Sequence, residues 1–238
     1  MAADESNQHP IEPPIDVPWT DVVCFLRQLS HDLRNQLNAV ELQSAFLTEL
    51  ATDAEMKEET KRLRQMVSKC ATSLQKITAR VAAVSVNLLP YRANDLVEDI
   101  RAKLTKDFPD RAAKVKWDVR ANEAQINLDP QLLQEALLEL FQNAFQQPAE
   151  AASLLFIAGT ENGILVISLH EPKTTFDLPT ENWGREPLRR VHRGHYGLGL
   201  NRARGIIEAH GGKLDAQYDP KGAKLITRIS LPLLGGQE

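Results

Sequence analysis

Apolar residues recur at helical spacing in two long runs near the start of the chain. After Pro18, the positions Leu26, Leu29, Leu33, Leu37, Val40 and Leu47 follow at steps of three, four and once seven. The second series, Leu63, Val67, Cys70, Leu74, Ile77, Val81, Val84 and Leu88, steps by three or four throughout. Thr52 to Glu55 (TDAE) reads as a capping box opening the second helix. So short a connection predicts an antiparallel hairpin. A hairpin with one narrow seam does not enclose a core, so the pattern predicts two copies forming a homodimeric four-helix bundle. A lone hairpin packed on the rest of the chain is the other arrangement it allows.

Beyond Pro90 the pattern changes. A helix is expected over Asp95 to Lys106, and KVKWDVR (Lys114 to Arg120) alternates as a strand, with AQINL (Ala124 to Leu128) a candidate partner. Asp129 and Pro130 are N-cap and first-turn signals for a helix to about Gln146. SLLFIAGT and GILVISLH predict two strands joined at Asn162-Gly163. Residues 171–195 lack periodicity and read as a long loop. A helix from Leu198 to His210, stopped by Gly211-Gly212, and two closing strands complete the chain. The expectation is an α+β protein: a disordered arm over 1–17, a helical hairpin over 18–89, and a mixed sheet with helices on one face over 90–238.

Composition narrows the class. The 238 residues are 42% hydrophobic and 25% charged, with a net charge of −4, which disfavours nucleic acid and anionic membranes as bulk partners. The two cysteines, Cys24 and Cys70, have neither disulfide nor metal spacing, no apolar run reaches membrane-span length, and the first residues lack the basic and apolar regions expected of a signal peptide. A cytoplasmic location is expected.

Three stretches carry candidate chemistry. LSHDLRNQL places His31 beside Asp32, with Asn35 one turn on. With Leu26, Leu33, Val40 and Leu47 at heptad position a, His31 falls at f and faces solvent. In ELFQNA, Glu139 and Asn143 share one helix face, and their oxygens suit Mg²⁺; an ordinary solvated face fits as well. In GHYGLGLNRARGIIEAHGG, glycines 194, 197 and 199 precede a helix, as in a phosphate cradle or a flexible turn, with Arg189, Arg190 and Arg193 upstream.

In this order the three stretches resemble the catalytic core of a two-component sensor histidine kinase, over about Trp19 to Leu234. SHDLRNQL resembles the phosphoacceptor box, ELFQNA the N box of the ATPase fold shared with gyrase, and YGLGLNRARGIIEAHGG the G2 box. The resemblance implies an α/β-sandwich ATP-binding domain and a dimerising hairpin. It implies that His31 takes a phosphoryl group from ATP, that Asp32 orients the ring, and that Asn35 sits where relatives dephosphorylate their partner. Asn143 would hold Mg²⁺, with Glu139 beside it as a further ligand or as the group that orients or deprotonates a water, and Gly197, Leu198, Gly199 and Leu200 would flank the phosphates, with Arg193 adding charge, under a lid of residues 171–195. The partner implied is a response-regulator receiver domain, with input through the arm or a separate sensor protein.

The G1 box departs from that pattern. Glu171 stands for the aspartate that binds the adenine amino group, and Lys173 and Thr175 stand for glycines. Further along, His195 replaces a glycine, Gln146 a basic residue, and Gln36 the proline that bends the phosphoacceptor helix. Three functions follow from these features: a histidine kinase with an altered base pocket, a histidine phosphotransferase whose ATPase-like domain has lost ATP, or a dimeric docking module without phosphoryl chemistry.

Overall fold

The first helix, α1 (Trp19–Leu50), and the second, α2 (Ala54–Val81), form one of two compact units, residues 1–82; the other is 83–238. The computed structural model describes residues 17–121, 124–145, 153–177, 179–188 and 196–235. The predicted arm apart from Val17 lies outside them, as do Gln146, Arg189, Arg190, Arg193, Gly194 and His195.

The hairpin is antiparallel, as its three-residue connection requires, but three details differ from the sequence expectation. The cap of α2 is Asp53 and not Thr52: its Oδ1 accepts the N–H groups of Glu55 at 2.6 Å and Met56 at 3.4 Å. The helix also stops at Val81, seven residues before the apolar series ends, so residues 83–89 belong to the second unit. Asn87 there donates its backbone N–H to Asp129 Oδ2 at 3.1 Å, and Val84 packs against that unit's core, which explains why the valine and leucine spacing continues past the helix. Third, the hairpin interior holds small polar residues, Ser30, Ser44 and Thr60, together with Val67 and Val81. Ser44 and Thr60 satisfy their hydroxyls on the carbonyls of Val40 and Met56 one turn back. Much of the expected seam therefore lies outside, with Leu29, Val40, Leu47 and Leu63 all exposed.

The second unit contains β1 (Leu89–Arg92), α3 (Ala93–Asp107), a short α4 (Pro109–Ala112), β2 (Val115–Val119), β3 (Gln125–Leu128), α5 (Pro130–Phe145), β4 (Leu154–Glu161), β5 (Ile164–Pro172), α6 (Gly199–Ala209), β6 (Lys213–Asp219) and β7 (Lys224–Pro232). Five strands form a mixed sheet in the order β2-β4-β5-β7-β6, with β2 parallel to β4 and every other pair antiparallel. AQINL does not pair with KVKWDVR. It pairs antiparallel with β1, Leu89 opposite Leu128, in a separate two-stranded ribbon. That ribbon has an open edge and so tolerates Pro90.

Local signals were otherwise followed closely. Asp129 Oδ1 caps α5 by accepting from Gln131 at 3.2 Å and Leu132 at 3.1 Å. Asn162 (φ 49°) and Gly163 (φ 73°) make the two-residue turn between β4 and β5. Alternating burial along β4 and β7 buries one sheet face, and α3, α5 and α6 contribute Ile100, Leu137 and Ile206 to the same core. Phe141 of α5 stacks on Phe156 of β4 at 5.8 Å, with Trp117 of β2 4.8 Å from Phe156.

A carboxylate ties the ribbon to the helices. Tyr91 Oη donates to Asp99 Oδ2 at 2.6 Å, and Gln134 Nε2 donates to the same oxygen at 2.9 Å. The hydrogen bond to Asp99, with burial second, pushes the Tyr91 phenol up to about 12. A phenol favoured in its protonated form adds stability that is complete below its unfolded value near 10 and is lost as pH rises through 12. Tyr91→Phe is expected to cost about 1 kcal/mol at neutral pH and to flatten alkaline destabilisation between about pH 10 and 12, measured by urea titration at each pH. An unchanged alkaline profile would show that the bond does not contribute.

Candidate functional site

The predicted residues fall into two groups, one in each unit. On α1, spacings of one and four bring His31, Asp32 and Asn35 onto one exposed face. The His31 ring is 67% exposed. Its Nδ1 lies 3.2 Å from Asp32 Oδ1 and 3.4 Å from Asn35 Nδ2, and Gln28 Nε2 donates to Asp32 Oδ1 at 2.9 Å. The His31 contact, then the Gln28 amide, holds the Asp32 carboxyl below its ordinary value. An ionised Asp32 accepts the Nδ1 proton, which leaves the lone pair on Nε2 pointing away from the carboxylate. The arrangement is that of an oriented nucleophile. In that tautomer Nδ1 carries the proton and does not accept from Asn35 Nδ2.

The second group is assembled where α5 meets α6. Glu139 and Asn143 project one turn apart from α5, and Glu139 Oε2 lies so close to Gly199 that an added Cβ would sit 2.1 Å from it. Gly199 opens α6, whose N-cap residue Leu198 offers no side-chain acceptor. The N-terminal N–H groups and dipole of this end favour negative charge, and the Glu139 carboxylate lies beside them. Gly197 takes φ 64° in the preceding turn, a conformation that only glycine adopts without strain. Leu198 is buried and Leu200 packs on the core, so of the four residues expected at the phosphates these two offer backbone only. Asn143 is half-buried, and its amide makes no hydrogen bond to another described residue. A carboxylate, an amide and a helix N-terminus suit Mg²⁺ bridged to phosphate oxygens, since Mg²⁺ takes few protein ligands when phosphates supply the rest.

Glu171, at the end of β5, is 6% exposed. Burial pushes its carboxyl up from the ordinary value, and the nearby Lys173 ammonium opposes that rise. Lys173 Nζ lies 3.0 Å from Glu171 Oε1 and 5.0 Å from the centre of the Phe176 ring.

The expected lid over 171–195 is not one free loop. Residues 171 and 172 complete β5, and the stretch around Trp183 is fastened to α6. Arg204, a buried arginine, donates through Nε to the Trp183 carbonyl at 2.8 Å and through Nη2 to the carbonyls of Trp183 and Leu214. Its Nη1 reaches Glu208 at 3.0 Å. Asn201 Nδ2 adds bonds of 3.1 Å to the carbonyls of Gly184 and Arg185. Arg193 lies outside the described residues. Sequence reading missed Asn201 and Arg204, and it named Lys173 only as standing for a glycine, without its pairing to Glu171. Arg204 did leave a trace: it falls on the same helix face as Leu200 and Ile207, where a charge needs buried partners.

No protein-family model matches the chain. Among curated proteins it is 24% identical to the adaptive-response sensory kinase SasA of Synechococcus sp. (strain CC9902), over 90% of this chain and 57% of that one. It is 24% identical to the sensor histidine kinase ZraS of Klebsiella oxytoca, over 88% of this chain and 46% of that one. The chain thus spans about half the length of the curated relatives it matches. Full-length ShkA, solved in complex with AMPPNP, superposes with a TM-score of 0.62 at 21% identity, covering 87% of this chain and 45% of that one. The catalytic domain of histidine kinase ThkA, in a nucleotide-free form, gives 0.51 at 16% identity over 61% of this chain and 95% of that one. A helical hairpin followed by this mixed sheet and its helices is the fold of a histidine kinase catalytic core, and the curated proteins that the chain is similar to over most of its own length are named as sensor or sensory kinases. Among the described residues no helix is long and apolar enough to cross a membrane.

Proposed function

We propose that the chain is a protein histidine kinase that phosphorylates His31 from Mg²⁺-ATP and passes the phosphoryl group to the aspartate of a response-regulator receiver domain. The observation that carries this reading is the His31–Asp32 contact on an exposed face. It supplies an imidazole whose Nδ1–H is engaged and whose Nε2 is free for in-line attack, with access for both donor and acceptor. ATP supplies the phosphoryl group. Nε2 forms the N–P bond as the bond to the ADP oxygen breaks, and Asp32 stabilises the ring proton as positive charge develops. Asn143, with Glu139 beside it, would hold Mg²⁺; the N-terminus of α6 behind Gly197 and Gly199 would hold the phosphates; Glu171 would accept from the adenine amino group. Asn35, one turn beyond His31, would position the water that later removes phosphate from the regulator.

The partly buried Lys173 beside Glu171 favours a second reading, a histidine phosphotransferase charged by a phosphorylated regulator. Calorimetry with Mg²⁺-ATP separates the two: saturable binding supports the kinase, and none supports the phosphotransferase.

The exposed apolar face of the hairpin supports homodimerisation. Phe25, Leu29, Val40, Phe46 and Leu47 lie outside the hairpin interior, on a surface too apolar for an isolated pair of helices. Leu47→Asp is expected to yield monomers by light scattering, because a buried unpaired carboxylate costs several kcal/mol in a bundle core. An unaltered dimer would mean that copies associate elsewhere.

A further inference from the structure

We infer that Lys173 is a built-in competitor for the nucleobase: its ion pair with Glu171 closes the base pocket, and a purine amino group reaches the carboxylate only by displacing the lysine head. This rests on the proposal that Glu171 is the base acceptor and adds a regulation of that site. Three observations carry it. The pair is well shielded: the Lys173 and Glu171 side chains are 13% and 8% exposed, and their charged atoms are 3.0 Å apart. In such a setting the attraction is little screened by solvent.

The lysine is also held in place at its root. Its backbone N–H donates to the Ala223 carbonyl at 2.7 Å, and Tyr218 Oη donates to the carbonyls of Lys173 at 3.3 Å and Thr174 at 2.9 Å. The backbone therefore does not need to move for the pocket to open; the side chain must rotate. The Phe176 ring, 5.0 Å from Nζ, steadies the closed position of the ammonium as a cation–π partner. Phe176 is in turn packed against Trp183 and Tyr218, each 5.8 Å away, so the closed arrangement is braced by the wall that Arg204 fastens.

A pocket open only a fraction of the time binds more weakly by that fraction. Closure by about ten to one costs about tenfold in apparent affinity. Calorimetry with Mg²⁺-ATP on the full chain reads this directly. Lys173→Met keeps the aliphatic stem and removes the charge, and it is expected to bind about tenfold more tightly than the parent, while Lys173→Arg keeps the pair and binds like the parent. Equal or weaker binding by Lys173→Met, with the parent binding normally, would overturn the competition and leave the kinase reading intact. Absence of binding by both would overturn the competition and the kinase reading together. A second measurement needs no variant. Acylation of lysines in the unmodified chain, followed by mass spectrometry, is expected to find Lys173 shielded alone and reactive when Mg²⁺-ATP saturates the site. Unchanged or lower reactivity would contradict displacement.

Discussion

Replacing His31 by alanine is expected to abolish phosphoryl acceptance from any donor while leaving the fold and association of the chain unchanged. The ring is 67% exposed, and its polar contacts, to Asp32 and Asn35, lie on the same solvent-facing surface of α1. Exposed polar contacts of this kind add little to stability, and alanine is a better helix former than histidine. Thermal unfolding within about 2 °C of the parent, with no acid-labile phosphate retained, is the predicted pair of results. Loss of the folded hairpin would show that His31 is structural. Asp32→Asn should be graded rather than absolute: it keeps a hydrogen-bonding partner for the ring but removes the charge that fixes the tautomer and stabilises the developing cation.

Arg204→Met is the substitution with the largest expected effect on the ATPase-like unit. Methionine fills the volume of the arginine stem but leaves the carbonyls of Trp183 and Leu214 without their donor in a buried setting. The cost is about 3 kcal/mol, or roughly 10 °C in melting temperature for a unit of this size. Hydrogen exchange should rise across 180–188 more than across the sheet, because that segment then loses the Arg204 bonds and keeps those of Asn201. Arg204→Lys should recover only part of the loss, since one ammonium does not reproduce a fork aimed at two carbonyls and Glu208. Parent-like stability in Arg204→Met would mean the segment is held by other contacts.

Features set by neighbours in sequence were legible in advance. Asp129 and Pro130 announce the start of α5, Asn162-Gly163 the hairpin turn, and Gly211 the end of α6. The phosphoacceptor group was legible for the same reason, because His31, Asp32 and Asn35 are brought together by helix geometry alone. Glu139 and Asn143 were legible as a pair, but the approach of Glu139 to Gly199 joins residues sixty positions apart and depends on how α5 packs on α6. Pairing across distance was not legible. AQINL alternates well enough to fit several strands, and only the tertiary fold assigns it to Leu89–Arg92. The end of α2 was obscured because Val84 continues the apolar series while serving the core of the next unit. The burial of Ser44 and Thr60 between the helices was not legible, because their hydroxyls are satisfied on their own helix and no hydrophobicity pattern marks them as inside. The pairing of Lys173 and the anchoring by Arg204 escaped because each works through a partner that the fold supplies: a carboxylate two residues back along the chain, and carbonyls ten and twenty-one residues away.

The most direct test of the central claim is incubation of the full chain with Mg²⁺ and γ-labelled ATP, followed by acid and alkali treatment and peptide mapping. The kinase reading predicts label that is lost in acid, survives alkali and maps to the peptide bearing His31. An unlabelled chain that still accepts phosphate on His31 from a phosphorylated receiver domain would contradict it and make the ATPase-like unit a scaffold for phosphotransfer.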